Sequence, residues 1–476
     1  MEITMPRINR FIIENVRCFK GVHELEIRPI TFIVGENSTG KSTILGCIQA
    51  ISDYMSSNSY ESIDFNSPPY EMGSFGGIIS RSELKEKNFK LGVEIDDFLS
   101  LQDHRKFRIN FSFIENSDNA EPKIEKMKLT VSAADNNAKT TEIEVSIVDV
   151  NYDSIGVISK SDTVDIFDQA VSVEYDSNLN RYSVDFDPIF SRGNILSSFI
   201  QHFHRYKKSR DFQDYGDAKG QLVKFISENF HRRISNSEIN VQSFSPIRSD
   251  PERTYNPMKE YSSNGDRNVP IILRNLSDNS PNKWDSMKSN FVEFAKKADL
   301  FSDMRIRNFT ESKSDPFQLQ FEIRGKFYNF ADVGYGISQV LPILEGILSK
   351  LDTTKRFSSL EQFSDYHFLM QQPEVHLHPR AQVALISFMI EIYKQSSSTF
   401  IIETHSDYMV DRARIEIRRG NINYNDVSLV YLEAHGDGGV TVHNICFDEM
   451  GNMINVPDGY RSFFIGEAHS LFGFDS

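Results

Sequence analysis

Three cysteines in 476 residues leave little room for disulfide or zinc chemistry. Cys18, Cys47 and Cys446 are odd in number and far apart, so they form neither a disulfide framework nor a zinc site, and a reducing cytosol fits best. Long apolar runs are missing. None approaches the roughly 18 residues of a membrane span, and the opening MEITMPRINRFIIENV has no signal-peptide apolar core, which predicts a cytoplasmic protein with no membrane partner. Sustained heptads are absent, which argues against long coiled-coil arms. Positive charge is outnumbered, 52 Lys and Arg against 67 Asp and Glu: the net charge of −15 disfavours general nucleic-acid binding while leaving room for a local basic face. Hydrophobic content of 39% is ordinary, and the length suits two or three domains.

What is present is a complete phosphate-binding loop. Gly35-Glu36-Asn37-Ser38-Thr39-Gly40-Lys41-Ser42 matches G-x-x-x-x-G-K-S, and Thr43 follows it. An apolar β-type run, Ile30 to Val34, precedes the loop, and a helical pattern at Ile44, Leu45 and Ile48 follows. This strand–loop–helix order is the context the motif requires. Glycines let the backbone curl so that its N–H groups face phosphates, and the positive end of the helix helps hold negative charge. Lys41 is expected on the β- and γ-phosphates of ATP, and Ser42 on Mg²⁺.

A second segment, YHFLMQQPEVHLH (366–378), carries an oddity. Many ATPases end a stiff apolar strand with two acids, then Pro-Glu, to hold magnesium and a hydrolytic water. Here Gln371 and Gln372 fill both acidic positions. An amide oxygen accepts a hydrogen bond from water but cannot act as a base.

Along the chain, the stretch 62–80 is polar and glycine-containing and reads as a long functional or surface loop. Several β-type runs follow between about 89 and 190, among them FRINFSFI (107–114), KLTVSA, IEVSIV, AVSVEY and YSVDF, and predict an antiparallel sheet. Helical spacing begins near Ile195 with Phe199, Phe203 and Tyr206 on one face, and recurs from Gln221 to Phe230 and from Lys283 to Ala298. From Phe317 onward β and α patterns alternate, as for a return to the sheet that carries the loop.

Four further segments resemble, in this order, the ATPase heads of the SMC (structural maintenance of chromosomes) class. They are DVGYGISQVLPIL (332–344), QQPEVHLHP (371–379), IIETHSD (401–407) and GNMINVPDGYRSFF (451–464). More narrowly, they are similar to the overcoming-lysogenization-defect (OLD)-type family and to the ATPase subunits of the Septu and PARIS phage-defence systems. The resemblance is specific over 7–55 and 330–465. It implies an α/β fold: an ABC-type P-loop ATPase head with an antiparallel β lobe and a large central mixed β/helical insertion. The expected organisation is residues 1–90 as the N-terminal part of the head, 91–192 as the β lobe, 193–316 as the helical insertion and 317–476 as the C-terminal part.

The resemblance also implies an ATP-sandwich dimer, and higher oligomers are compatible with it. Gly334 to Gln339 is the signature segment offered to the partner's γ-phosphate, with Gly334, Gly336 and Ser338 at the start of an apolar helix where N–H groups face an anion. His405 is the switch histidine. His376 and His378 fall in the interface loop after the magnesium strand, and Glu374 is expected to face elsewhere. Gln371 aligns with the magnesium-side acid and Gln372 with the catalytic glutamate. Either an acid at 371 was exchanged for glutamine to trap ATP, or the chain is a natural low-turnover switch. No glutamine occurs between Gln49 and Gln102, so the usual magnesium-contacting glutamine is unassigned.

Basic residues form two smaller groups. HFHRYKKSR (202–210) and Arg412, Arg414, Arg418 and Arg419 read first as solvated helix faces, and second as grips for phosphate or a partner. Arg248 and Arg253 are phosphate or interface candidates.

The leading expectation is a sensor ATPase of a bacterial defence complex that answers a phage-derived trigger and controls a separate effector. Only about 70 residues follow His405, fewer than a nuclease domain of usual size needs, so a Toprim-type nuclease is expected on another polypeptide. The alternatives are an SMC-like DNA-repair or chromosome-associated ATPase, and a nucleotide-locked scaffold without turnover.

Overall fold

A computed structural model of the chain describes residues 7–56, 63–80, 87–97, 105–133, 141–147, 171–176, 181–186, 199, 218–229, 240–246, 248, 250–257, 269–310, 315–351, 366–396 and 398–460. The chain divides into two compact units. One comprises residues 1–27, 36–240 and 432–443, and the other 28–35, 241–431 and 444–476. The helical pattern around 195–206, the basic run 202–210 and the end of the last family-like segment lie outside the described residues, apart from Phe199.

The first unit is built on an eight-stranded sheet. Its strands are β1 (Arg7–Val16), β2 (Phe19–Glu26), β4 (Phe89–Asp97), β5 (Arg105–Glu115), β6 (Pro122–Ala133), β7 (Thr141–Ile147), β8 (Val171–Asp176) and β9 (Arg181–Phe186), in the order β2-β1-β4-β5-β6-β7-β9-β8. β5 shows why these residues make a strand. Phe107, Ile109, Phe111 and Phe113 alternate with more exposed neighbours and are all buried, the two-residue period of a sheet with one packed face. Helix α1 (Lys41–Ser56) covers that face, with the Tyr54 ring 5.9 Å from Phe111.

Two features of this unit differ from the sequence expectation. The sheet is antiparallel except between β7 and β9, which run parallel. Parallel neighbours need a long connection. Thirty-three residues separate β7 from β9 in the sequence, and β8 pairs antiparallel at the outer edge. The segment 63–80 is a packed layer rather than a surface loop. Ile63, Phe65, Tyr70, Met72, Phe75 and Ile78 are buried, the last two in the short helix α2 (Phe75–Ile78). Phe65 meets Phe89 and Phe113 edge-on at 5.8 and 5.6 Å, while Phe89 and Phe113 stack at 4.8 Å. Each such pair adds about 0.5–1.5 kcal/mol beyond its buried area.

The second unit carries a seven-stranded sheet. In spatial order its strands are β10 (Asn240–Phe244), β14 (Tyr366–Gln371), β15 (Thr399–Glu403), β3 (Ile30–Gly35), β16 (Val427–Ala434), β17 (Val440–Phe447) and β18 (Met453–Ile454). β14, β15 and β3 run parallel, and their residues form near-continuous apolar runs (FLM, FII, TFIV), as strands covered on both faces must. Helix α3 (Ala218–Asn229), in the first unit, follows its predicted pattern closely. In the second, α4 (Val269–Asn279) has no predicted counterpart, whereas α5 (Pro281–Ala298) follows its pattern closely. Helices α6 (Tyr335–Lys350), α7 (Pro379–Ser396) and α8 (Asp407–Arg418) complete the second unit.

Phe317–Ile323 (β12) and Lys326–Asn329 (β13) do not return to the loop-bearing sheet as their pattern predicts. They pair with β11 (Asp303–Asn308) in a separate three-stranded sheet. Local alternation signals a strand but not which sheet it joins. No helix among the described residues is long and apolar enough to cross a membrane.

Candidate functional site

The phosphate loop leaves β3 at Gly35 and enters α1 at Lys41. Three of its residues have positive φ: Gly35 at 154°, Ser38 at 63° and Gly40 at 90°. Lys41 is buried, and its ammonium donates to the Glu36 carbonyl at 2.5 Å. The Thr39 hydroxyl donates to the same oxygen at 2.9 Å. The loop is thus closed around one carbonyl, while Glu36, Asn37 and Ser38 stay exposed. At Gly40 an added Cβ would lie 2.6 Å from the Phe19 ring and 2.7 Å from Cys18 Sγ. The curled backbone is pressed onto Phe19 of β2 and onto Cys18, and its positive-φ residues give the bend that a phosphate-binding loop needs.

Ser42 is half-buried in the first turn of α1. Thr43 is buried, and its hydroxyl accepts from Arg17 at 3.0 Å. The same guanidinium donates to the carbonyls of Met72 at 2.9 Å and Gly77 at 3.3 Å. Arg17 therefore clips the start of α1 to the packed segment 63–80. No motif marks it in the sequence; its one local signal is its place beside the β1–β2 turn, where its own φ is 47°.

In the second unit the parallel register aligns the strand ends. Gln371 pairs with Glu403, and Glu403 with Ile33, so the end of β14 and the end of β15 share the edge from which β3 runs out into the loop. β15 lies between β14 and β3. Ligand-binding residues collect at such carboxyl edges of parallel strands. Gln371 and Gln372 are half-buried there. Gln372 has φ 44°, and its N–H donates to the Glu403 carbonyl at 2.9 Å.

The turn after Gln372 brings Glu374 back onto β15 instead of away from it. Its Oε1 accepts the backbone N–H of His405 at 2.8 Å. Burial pushes the Glu374 carboxyl above its ordinary value. The His405 N–H, its own backbone N–H, the Thr404 hydroxyl and the Arg248 charge pull the other way without cancelling it.

His405 is exposed at the end of β15. Ser406 caps α8, accepting from the Met409 N–H at 3.3 Å, and its hydroxyl donates to Gln382 Oε1 at 2.5 Å. Gln382 in turn donates to the Leu377 carbonyl at 2.8 Å. A hydrogen-bonded ring thus joins the turn after β14, the start of α7 and the start of α8.

His376 is exposed with φ 62°, its ring 5.6 Å from that of Tyr335. The Nδ1 of His378 accepts the Arg380 N–H at 3.3 Å at the entry to α7. Among the described residues no group of three or more His, Cys, Asp or Glu is placed to hold a metal ion.

The signature segment opens α6. Gly334 is the N-cap residue and makes no side-chain cap. A Cβ on Gly336 would meet only ordinary contacts, the nearest at 3.6 Å. Ser338 is buried, its hydroxyl donating back to the Tyr335 carbonyl at 2.8 Å, and its N–H falls in the helix's own ladder behind the N-cap Gly334. Arg248 is buried and donates to Gln339 at 3.3 Å, whereas Arg253 pairs with Asp332 at the surface.

The arginines after His405 are engaged within the chain. Arg412 and Arg419 pair with Glu416, and Arg414 with Asp411. Arg414 also donates to the Gly451 carbonyl at 2.8 Å, and Arg418 to the Met450 carbonyl at 3.0 Å.

A glycine-closed loop that runs from a β-strand into a helix opening with a buried lysine defines a P-loop nucleotide-binding ATPase. The sequence matches the AAA ATPase domain family over residues 7–410, and the chain belongs to that family. No curated protein matches it. Among solved structures it is similar to an SMC head bound to the C-terminal winged-helix domain of ScpA. That match has 11% identity, 92% of this chain and 98% of that one covered, and a TM-score of 0.41. A second is an SMC head with an extended coiled coil bound to the C-terminal domain of ScpA, from Pyrococcus furiosus, at 12% identity, 93% and 97% covered and a TM-score of 0.37. A third is the SMC head domain from Thermotoga maritima, at 9% identity, 92% and 98% covered and a TM-score of 0.33.

Proposed function

We propose that this chain is an ABC-type, SMC-like sensor ATPase in which ATP drives two copies together, and that it serves a bacterial anti-phage complex by controlling a separate effector of the Toprim nuclease class. The observation that carries the ATPase part is the complete phosphate loop, with its positive-φ glycines and buried Lys41, inside the matched AAA ATPase domain. The defence assignment is supported by the order of the family-like segments and by an acidic chain without heptads.

In this reading Lys41 exchanges the Glu36 carbonyl for the β- and γ-phosphates, and the N–H groups of residues 36–43 line the phosphate chain. The magnesium donors are neutral, the Ser42 hydroxyl and the Gln371 amide oxygen. Magnesium ordinarily takes one or two carboxylates together with phosphates and water, so this set suits an ion carried mainly by the nucleotide. Magnesium supplies neutralisation of phosphate charge when bound. Gln372 orients water through its amide oxygen, and exposed His405 reads the γ-phosphate. Gly334 and Gly336 offer N–H groups to the nucleotide of a second copy, with Ser338 supporting this first turn through its hydroxyl bond to the Tyr335 carbonyl.

Steady-state ATP hydrolysis by the protein beside its Gln371→Glu variant tests this, with light scattering to read assembly. ATP-dependent dimerisation and faster turnover in the variant are expected. A protein that neither binds ATP nor changes size with it refutes the reading. Two amides at 371 and 372 also favour one second reading, a scaffold locked by nucleotide. ATP binding without hydrolysis in both proteins would select it.

A further inference from the structure

Three helices of the second unit enclose a cleft away from the residues assigned to nucleotide chemistry. Its volume is about 400 Å³, and it lies between the end of α5, the length of α7 and the far half of α8. On α7 it is lined at Arg380, Val383, Ala384, Ser387, Ile390 and Lys394, spacings of three and four that mark one helix face. Arg412, Glu416 and Arg419 face it from α8 and its C-cap. Ser406 meets Gln382 and Arg412 meets Ser387, so the two helices run side by side in the same direction.

The cations therefore form a row. Arg380 stands at one end, Arg412 in the middle, and Arg419 and Lys394 at the other. Along the axis of α7, Arg380 and Lys394 are about 21 Å apart.

Five cations and two carboxylates line the cleft, on a chain of net charge −15. Glu416 is buried and shared by Arg412 and Arg419, so two guanidiniums meet one carboxylate. Glu391 answers Lys297 at 3.0 Å. Lys297 and Arg380 also pair with Glu293 and Asp299, but those acids do not line the cleft. Lys394 is exposed and has no partner among the described residues. Beneath the charges the floor is apolar, with Ala384 and Ile390 buried.

We propose that this cleft is a docking groove for an acidic, amphipathic segment of a partner protein. The row is longer than one small anion can span, and its positive surplus calls for several carboxylates in line. An apolar floor between charged rims takes the side chains of a peptide laid along it. Nucleic acid fits less well: the described lining has no aromatic ring on which a base could stack. Docking here needs no nucleotide chemistry, so its failure would leave the ATPase reading untouched.

The test is fluorescence anisotropy with the full chain. The probe is a labelled peptide of about 14 residues, the length of the row, with Leu at helical spacing and Glu on the flanks. Three controls are the same peptide with Ser for Leu, the same with Lys for Glu, and a short single-stranded DNA. The Glu/Leu peptide is expected to bind, and the Ser peptide to bind at least about tenfold more weakly. The combined variant Arg380→Gln, Lys394→Gln, Arg419→Gln should weaken the Glu/Leu peptide by about tenfold, since each rim pair contributes up to about 1 kcal/mol. Lys394→Gln alone should weaken it by about two- to fivefold at an unchanged thermal midpoint.

An acidic peptide that does not bind overturns the proposal, as does a Ser or Lys peptide that binds equally well. DNA binding that matches the peptide and falls in the same variants overturns it in favour of a nucleic-acid face. A dimer of the chain that the combined variant separates overturns it in favour of a second copy. If the combined variant melts early, Lys394→Gln decides: parental affinity there overturns the proposal.

Discussion

Replacing Gly40 with alanine should damage the fold and the nucleotide site together, which no change to Lys41 should do. At φ 90° an L-residue is strained, at a cost of about 1–2 kcal/mol. The new methyl would also stand 2.6 Å from Phe19 and 2.7 Å from Cys18 Sγ, both fixed on the β1–β2 hairpin. Overpacking of this kind adds about 1–3 kcal/mol. The sum is about 2–5 kcal/mol, or a thermal midpoint lower by about 4–20 °C for a unit of this size. The alternative is for the loop to move away from β2, which disturbs its bend and weakens ATP binding. Lys41→Ala removes the ammonium alone and should weaken ATP binding by at least about tenfold at a nearly unchanged midpoint. Differential scanning fluorimetry and titration with a fluorescent ATP analogue measure the two effects. A Gly40→Ala protein with parental midpoint and affinity would refute the argument that the glycine is required by close approach.

Other outcomes follow from the same structure. Ser406→Ala removes the cap of α8 and the bond to Gln382, so a loss of about 1–3 kcal/mol is expected in urea unfolding, since a cap and a neutral hydrogen bond each contribute about 1 kcal/mol. Cys47 is buried and its thiol is pushed up to about 12, so at pH 8 a thiol reagent should leave it untouched until denaturant is added. For Glu24, burial acts upward, but hydrogen bonds and charge from Arg10 and Arg108 outweigh it and hold the carboxyl below its ordinary 4.5. Its stabilising effect is therefore present above pH 4.5 and is lost as pH falls through the depressed folded value. Glu24→Gln should flatten that acid limb of the melting curve by about 0.5–1 kcal/mol, discounted because the group is part-exposed.

The parts legible in the sequence are those written contiguously. The phosphate loop needs only eight consecutive residues and its flanks, and β5 needs only alternation. Pairing partners are a different matter: nothing local to YSVDF says that β9 lies parallel to β7, or that β12 and β13 leave the loop-bearing sheet. The layer 63–80 looked like a loop because Pro and Gly break its periodicity, yet its aromatics are spaced to fill one core. Glu374 is expected, from the resemblance alone, to face elsewhere, and no local pattern announces its bond to the His405 N–H. The left-handed backbone at Gln372, where the strand ends, is likewise not written in any residue pattern. Arg17 carries no motif at all, and its role emerges from three acceptors that are far apart in sequence.

Helix α8 starts one residue after Ser406 and ends at Arg418, while Arg414 and Arg418 hold the carbonyls of Gly451 and Met450. Twelve residues make a rod of about 18 Å. A tilt of about 10° at the His405 end would sweep the far end through about 3 Å, and the 448–452 turn would travel with it. The helix is in effect a crank: its short arm sits beside His405, the residue proposed to read the γ-phosphate, and its long arm grips the 448–452 turn. A change too small to be seen at His405 would be delivered there as a displacement the size of a hydrogen bond.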